Sequence, residues 1–277
     1  MQVSVVVPTF NQVRYLGACL DALWFQTCAE LEIVVVDDGS TDGTAEALTA
    51  YLAGLESDTA SYASRFDQEP DVLTRVTHER YPKAGRSLKV ITHEKNQGLA
   101  AALNSGFRAA TGELCTYVPS DDIAYPPMID ELAGALAREN ADFAYADMLI
   151  VTDAGRILRR FSLPDYSFAR CFADWYLCGD AKLYRRTLHE RFGYYDEALL
   201  AHDHELFLRF ALGGAAFTHV ASPLLAKRDH AGERAVDIHA PANWNRLIEE
   251  SKALTLAARQ HLRASGSGRD ARARPGL

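Results

Sequence analysis

The stretch Leu114-Cys115-Thr116-Tyr117-Val118-Pro119-Ser120-Asp121-Asp122 constrains this chain more than any other. Its apolar run from Leu114 to Val118 reads as a buried strand, and the strand stops at a proline followed by two adjacent acids. In an open α/β sheet ligands bind at the carboxyl ends of the strands. Paired hard carboxylates placed there suit Mg2+ or Mn2+ that also holds a phosphate. The same residues are equally compatible with a turn and cap that start a helix at Met128, after Pro126 and Pro127. The rest of the chain has to decide between the two.

The run from Val3 to Val7, closed by Pro8, predicts a second strand buried on both faces. Leu16, Leu20, Leu23 and Trp24 then recur at helical spacing. Ile33 to Val36 predicts another buried strand, ending in Asp37-Asp38-Gly39-Ser40-Thr41-Asp42, where glycine permits a tight turn and Ser40, Thr41 or Asp42 can cap the next helix. Leu88 to Thr92 is a strand before Asn96-Gln97-Gly98, and Leu99, Leu103 and Phe107 mark a helix that carries Asn104. Strand and helix alternating at this pace predict parallel pairing with right-handed crossovers. Further on, helices are expected over Met128 to Arg138 and Asn243 to Leu262, and strands over Ala141 to Val151, Arg156 to Phe161 and Phe217 to Val220. Between about Glu56 and Ser87 the regularity breaks, which predicts a surface insertion with a short helix at Ser61 to Phe66. The second half is rich in aromatics that fill a core, with Trp175 placed to stack on a sugar face.

Composition narrows the function classes. A chain of 277 residues, 48% hydrophobic, can bury a full core. A net charge of −8 argues against a nucleic-acid surface, which needs clustered Lys and Arg. The start of the chain shows no secretory leader, and no apolar run approaches the ~18 residues of a membrane span. Five cysteines without a Cys-x-x-Cys pair fit reduced thiols in a cytoplasmic protein. The basic residues after Arg263 are expected to be disordered and to offer at most a peripheral contact with the inner membrane face.

Taken in order, Val5-Val6-Val7-Pro8-Thr9-Phe10-Asn11, Val35-Val36-Asp37-Asp38-Gly39-Ser40-Thr41-Asp42, Asn96-Gln97-Gly98-Leu99 with Asn104, Ser120-Asp121-Asp122 and His202-Asp203-His204-Glu205-Leu206 resemble the family 2 glycosyltransferases. That resemblance implies an α/β GT-A fold, a Rossmann-like, mainly parallel mixed sheet flanked by helices. Residues 1–122 would form the nucleotide-sugar-binding half, with the insertion at about 56–87. Residues 123–240 would form the acceptor-binding half of the same domain, 241–264 a C-terminal helix and 265–277 a tail. It further implies an inverting transfer from a nucleotide-diphosphate sugar, UDP-linked by preference, to a saccharide or other hydroxyl acceptor, in cell-surface polysaccharide or glycoconjugate synthesis.

Residue by residue, the resemblance puts the nucleobase N3-H on Asp38, with Pro8, Thr9 and Asn11 as the pocket wall and Asn96, Gly98 and Asn104 as further nucleotide contacts. Asp121 would lie near the ribose and Asp122 would bind Mg2+ or Mn2+. Asp203 would be the base that takes the acceptor's proton. The Lys227-Arg228-Asp229-His230 element would close the donor site, with Arg228 against the diphosphate and His230 completing the metal shell. Two positions depart from the family pattern: Pro119 stands where a first acid is common, and His202 replaces a Glu before the base. These departures keep open a nucleotide-sugar-binding protein without turnover. A nucleotidyltransferase is the other rival, disfavoured because Pro8-Thr9-Phe10-Asn11 replaces the Gly-rich basic phosphate loop such enzymes carry after the first strand.

Overall fold

Strand β1 (Val3–Thr9) is buried along its whole length, and successive valines feed opposite cores: Val5 and Val7 on one side, Val6 on the other. A strand with no solvent face must be central, and the computed structural model places it between two parallel neighbours. It describes residues 1–55, 60–67, 72–79, 85–229 and 241–265. Helix α1 (Val13–Trp24) returns the chain so that β2 (Leu31–Asp37) pairs with β1 in register from Val3 opposite Leu31 to Thr9 opposite Asp37. Helix α2 (Thr44–Gly54) buries little beyond Thr44 and Leu48.

The segment expected to form an insertion follows. Instead of a short helix, Ala60–Asp67 is a strand, β3, paired antiparallel with β4 (Val72–Glu79) as a separate two-stranded sheet. The alternating Ser61-Tyr62-Ala63-Ser64-Arg65-Phe66 satisfies its backbone across to a partner rich in Val and Thr, a pairing that a local reading of one segment cannot see. The insertion is also shorter than expected, because β5 (Arg86–Thr92) starts at Arg86. That arginine donates to the carbonyls of Trp24, Gln26 and Cys28 and so fastens β5 to the end of α1.

Strand β5 pairs parallel with β2, helix α3 (Leu99–Ala109) crosses back, and β6 (Leu114–Tyr117) pairs parallel with the other side of β1. The second half continues through β7 (Ile123–Ala124), α4 (Met128–Arg138), β8 (Phe143–Val151) and its antiparallel return β9 (Ile157–Phe161). A π-helical turn at Ala169–Asp174 precedes β10 (Lys182–Arg185), which runs antiparallel to both β6 and β8 and so joins the halves into one sheet. Helices α5 (Thr187–Phe192) and α6 (His202–Leu212) follow, then β11 (Phe217–Arg228) and α7 (Pro241–Ala264). The strand order is β5-β2-β1-β6-β10-β8-β11-β7, with β9 on β8. Strand β11 was expected to stop at Val220; it continues to Arg228 after a register shift around Pro223, the residue that cannot donate to a ladder.

Helices α1, α2 and α4 cover one face of the sheet, and α3, α5, α6 and the π-helical turn cover the other. The five cysteines are buried free thiols. No described helix is long and apolar enough to cross a membrane.

Helix α3 lies close on the sheet because Gly106 faces Val6; a Cβ there would stand 2.3 Å from Val6 Cγ1 and 3.2 Å from Val36 Cγ2. Gly106→Ala is therefore predicted to lower stability by about 1–3 kcal/mol through overpacking. Urea denaturation checks this, and Val6→Ala should recover part of the loss in the double variant.

Candidate active site

Strands β1, β2 and β5 end level with one another, and the ladder runs past the strand ends. Asp38 N donates to Thr9 O, His93 N to Asp37 O, and Val118 N to Val6 O, each at 2.9 Å. Four loops thereby meet at the carboxyl edge of the sheet. They surround a cavity of about 550 Å3 whose lining runs from Pro8, Thr9, Asn11 and Asp38 through Asn96, Gly98, Asp121 and Asp122 to Asp203.

Asp37 and Asp38 part company at the end of β2. Asp37 Oδ1 accepts from Ser40 N at 3.0 Å and shapes the turn. Asp38 faces the cavity and accepts from His93 Nδ1 (2.7 Å), Gln97 N (2.9 Å) and Gly98 N (2.8 Å). A carboxylate offers about four lone-pair sites, so roughly one remains for a ligand N–H. Gly39 makes this approach of loops possible: its φ is +74°, and a Cβ would meet the Lys95 carbonyl carbon at 2.6 Å. The loop after β1 is tied in by Asn11, which holds φ +51°, accepts from Thr41 N at 2.8 Å and receives Ser40 Oγ on its own N–H at 2.9 Å.

Beyond β6, Ser120 donates to Thr9 Oγ1 (3.0 Å), and Asp121 and Asp122 are both buried. Asp122 Oδ1 accepts from Arg228 N at 3.1 Å, while its Oδ2 is buried without a hydrogen-bond partner. Burial, reinforced by the charge of Asp121, pushes the Asp122 carboxyl well above the ordinary range, with Lys227 opposing the shift. This is the environment of an anionic oxygen that is satisfied by an added cation.

Asp203 opens α6, where the helix N-terminus favours a negative charge. Its Oδ2 accepts from Tyr117 Oη at 2.5 Å and lies 3.5 Å from Lys182 Nζ, and its Oδ1 is buried without a partner. Lys182 is itself 0% exposed, 3.8 Å from Asp180 Oδ1 and 4.0 Å above the Tyr117 ring. Asp180 also pairs with Lys227. A continuous chain of alternating charges thus runs from Asp203 through Lys182 and Asp180 to Lys227, beside Asp122.

Two sequence expectations change. Asn104 does not line the cavity: its amide bonds Tyr195 N and O and Glu197 Oε1, fixing the chain ahead of α6. Arg228 points away as well, donating to Asp153 O, and its strand neighbour Lys227 lines the cavity instead, because alternate residues of β11 face opposite sides. His230 lies outside the described residues, and among these no three acids, histidines or cysteines gather as a complete metal shell. Lys182 and Asp180 were missed altogether; an isolated Asp-Ala-Lys carries no motif, and only the antiparallel placement of β10 brings it to Asp203.

His204 also faces the cavity. It stacks on Tyr176 (5.4 Å, 23°), and neither ring nitrogen has a partner. Burial lowers its pKa from 6.5 to about 4, and burial does the same to His189. Between those values the unfolded chain binds the proton and the folded chain does not, so stability falls as pH drops from about 6.5 towards 4, by about 1.4 kcal/mol per pH unit for each histidine. Phenylalanine can keep the stack at 204 without a proton to bind. His204→Phe should therefore lose measurably less stability than wild type between pH 7.5 and 5 in urea denaturation, and equal losses would contradict the assignment.

The sequence model described as glycosyl transferase family 2 matches residues 4–63 and 67–193. A PGL/p-HBAD biosynthesis glycosyltransferase of Mycobacterium bovis is 29% identical over 197 residues, 70% of this chain and 62% of its own length. Glycosyltransferase GlyG of Streptococcus pneumoniae is 33% identical over 140 residues, 50% of this chain and 36% of its own. The chain thus spans about one to two thirds of the curated relatives it matches. Among solved structures, S. aureus TarS 1–349 in complex with UDP-GlcNAc aligns with TM-score 0.63 at 24% identity, covering 84% of this chain and 60% of TarS 1–349. Mannosyltransferase PcManGT from Pyrobaculum calidifontis, in complex with GDP-Man and Mn2+, aligns with TM-score 0.59 at 18% identity, covering 94% and 64%. At these identities the likeness shows the fold, which is GT-A.

Proposed function

The chain belongs to glycosyl transferase family 2, and from that premise we propose that it moves a sugar from a nucleotide-diphosphate sugar, UDP-linked by preference, to a hydroxyl acceptor with inversion. The observation that carries this reading is the convergence of Asp38, Asp122 and Asp203 on one cavity from three distant parts of the sequence. Complexes of TarS with UDP-GlcNAc and of PcManGT with GDP-Man and Mn2+ support it by likeness of fold.

Asp38 accepts the base N3–H at its remaining lone pair, with Pro8, Thr9 and Asn11 beside it and Asn96 and Gly98 on the facing loop. Asp122, whose Oδ2 is unsatisfied, and Asp121 would hold Mg2+ or Mn2+ together with the diphosphate, since these ions are commonly held by one or two carboxylates plus substrate phosphates. Bound there, the ion stabilises charge on the departing diphosphate. Lys227, not Arg228, is the protein's own cation on that wall. Asp203 takes the acceptor proton on Oδ1 while Tyr117 and Lys182 hold Oδ2. The acceptor oxygen bonds to the anomeric carbon as the bond from that carbon to the phosphate oxygen breaks. The proton goes to Asp203, and the nucleoside diphosphate leaves with the electron pair. A biosynthetic role in polysaccharide or glycoconjugate assembly accords with the name of the mycobacterial relative.

In a thermal-shift assay, UDP with Mn2+ is expected to raise the melting temperature, and Asp122→Ala to abolish the Mn2+-dependent part of that rise. An equal shift in the variant would remove Asp122 as the metal residue. Asp203→Asn should bind UDP as wild type does yet lose on the order of a hundred- to ten-thousand-fold in kcat for transfer. Turnover within a few-fold of wild type would remove Asp203 as the base.

A further inference from the structure

The wall around Asp203 has a character of its own. Trp175 and Tyr176 enter it from the segment after the π-helical turn, Leu200 from the loop before α6, and Trp244, Leu247 and Ile248 from α7. The α7 residues recur at the three- and four-residue spacing that puts them on one helix face, and Ser251 extends the row. That helix is fastened to the site, because Glu250 Oε2 accepts from Leu200 N (2.7 Å) and Ala201 N (2.9 Å). Trp175 is 41% exposed and Trp244 46%, an unusual state for such large apolar side chains, and both open onto this one cavity.

The polar groups of this wall cluster about Asp203, where His202, His204, Asp180 and the Tyr176 hydroxyl also line the cavity. Asp203 offers its unpartnered Oδ1, and the next residue, His204, is 2% exposed with both ring nitrogens unpartnered. Burial keeps that imidazole neutral at pH 7, so it presents one N–H and one lone pair. Among the described residues, no guanidinium or carboxamide side chain stands on the α7 and Trp175 walls to meet the hydroxyls of a long saccharide. Burying such hydroxyls without partners is unfavourable, whereas burying alkyl or aryl surface is favourable.

We propose, building on the transferase reading, that the acceptor is amphipathic: a small polar head delivers its hydroxyl to Asp203 Oδ1 and His204, and an apolar alkyl or aryl body lies against Trp175 and the Trp244, Leu247 and Ile248 face. The acceptor is thus a hydroxyl on a hydrophobic aglycone, not the end of a free polysaccharide.

The chain reports on this directly. It has three tryptophans, and Trp24 is fully buried in the core, so changes in tryptophan emission on binding come from Trp175 and Trp244. With UDP and Mn2+ present, methyl, butyl, hexyl and phenyl β-glucosides are titrated below their micelle concentrations. Affinity is expected to rise roughly two- to four-fold per added CH2, with phenyl glucoside at least ten-fold tighter than methyl. Trp175→Ala and Trp244→Ala should each flatten the series, and His204→Phe should weaken all members alike. Equal binding of methyl and hexyl glucosides, no emission change with any member, or an undiminished series in the double tryptophan variant would each overturn the proposal. Nucleotide binding is measured on the same samples by calorimetry. UDP bound with no dependence on the aglycone defeats the amphipathic acceptor alone, and failure of UDP to bind defeats the transferase reading beneath it.

Discussion

The register of β1 against β2 and β6 is the constraint on which everything at the carboxyl edge depends. Thr9 lies opposite Asp37, and Asp37 opposite Thr92, so the polar residues that end β1, β2 and β5 arrive at one level, and the chain after β6 runs on beside Pro8. Because every residue of β1 and β2 is buried, a slip of one position would exchange the two valine faces and turn Asp38 away from the loops that hold it. The apolar sequence of these strands thus fixes the position of a buried carboxylate. The backbone N–H groups of Gln97 and Gly98 then complete that fixation by directing Asp38 into the cavity.

Charge is handled in the second half by a different device. Lys182 is fully enclosed, a costly state for an ammonium unless anions surround it. Asp203 and Asp180 supply those anions, and the Tyr117 ring supplies a π-face. With Asp180 also bound to Lys227, the proposed base and the proposed cation residue Asp122 are joined through one run of charges. The groups proposed to bind the donor and to activate the acceptor therefore share a single electrostatic framework, and α6 contributes its N-terminus to the same place.

Much of the parallel half could be read from the chain. Val3 to Val7, Ile33 to Val36 and Leu88 to Thr92 are strands because their apolar runs are short and closed by proline or polar turns, and α1, α3 and α4 follow the spacing of Leu16, Leu103 and Leu132. The insertion was misread at Ser61 to Phe66, where pairing with a distant segment outweighs local preference. In the site, residues on the motif loops could be named, but their directions could not. Asn104 turns to Tyr195, and Lys227 rather than Arg228 lines the cavity because strand alternation, unlike sequence adjacency, decides which side chain faces it. Lys182 and Asp180 were invisible, since their importance comes from β10 lying antiparallel beside β6, which no local pattern encodes.

The claim that one cavity orients donor and base together is tested most directly by a crystal structure of the chain with UDP and Mn2+. The account predicts the uracil N3 within hydrogen-bond distance of Asp38, the metal on Asp122 bridging the diphosphate, and the terminal phosphate facing Asp203 Oδ1 across a gap that one sugar ring fills. A nucleotide bound away from Asp38, or a metal held without Asp122, would contradict it.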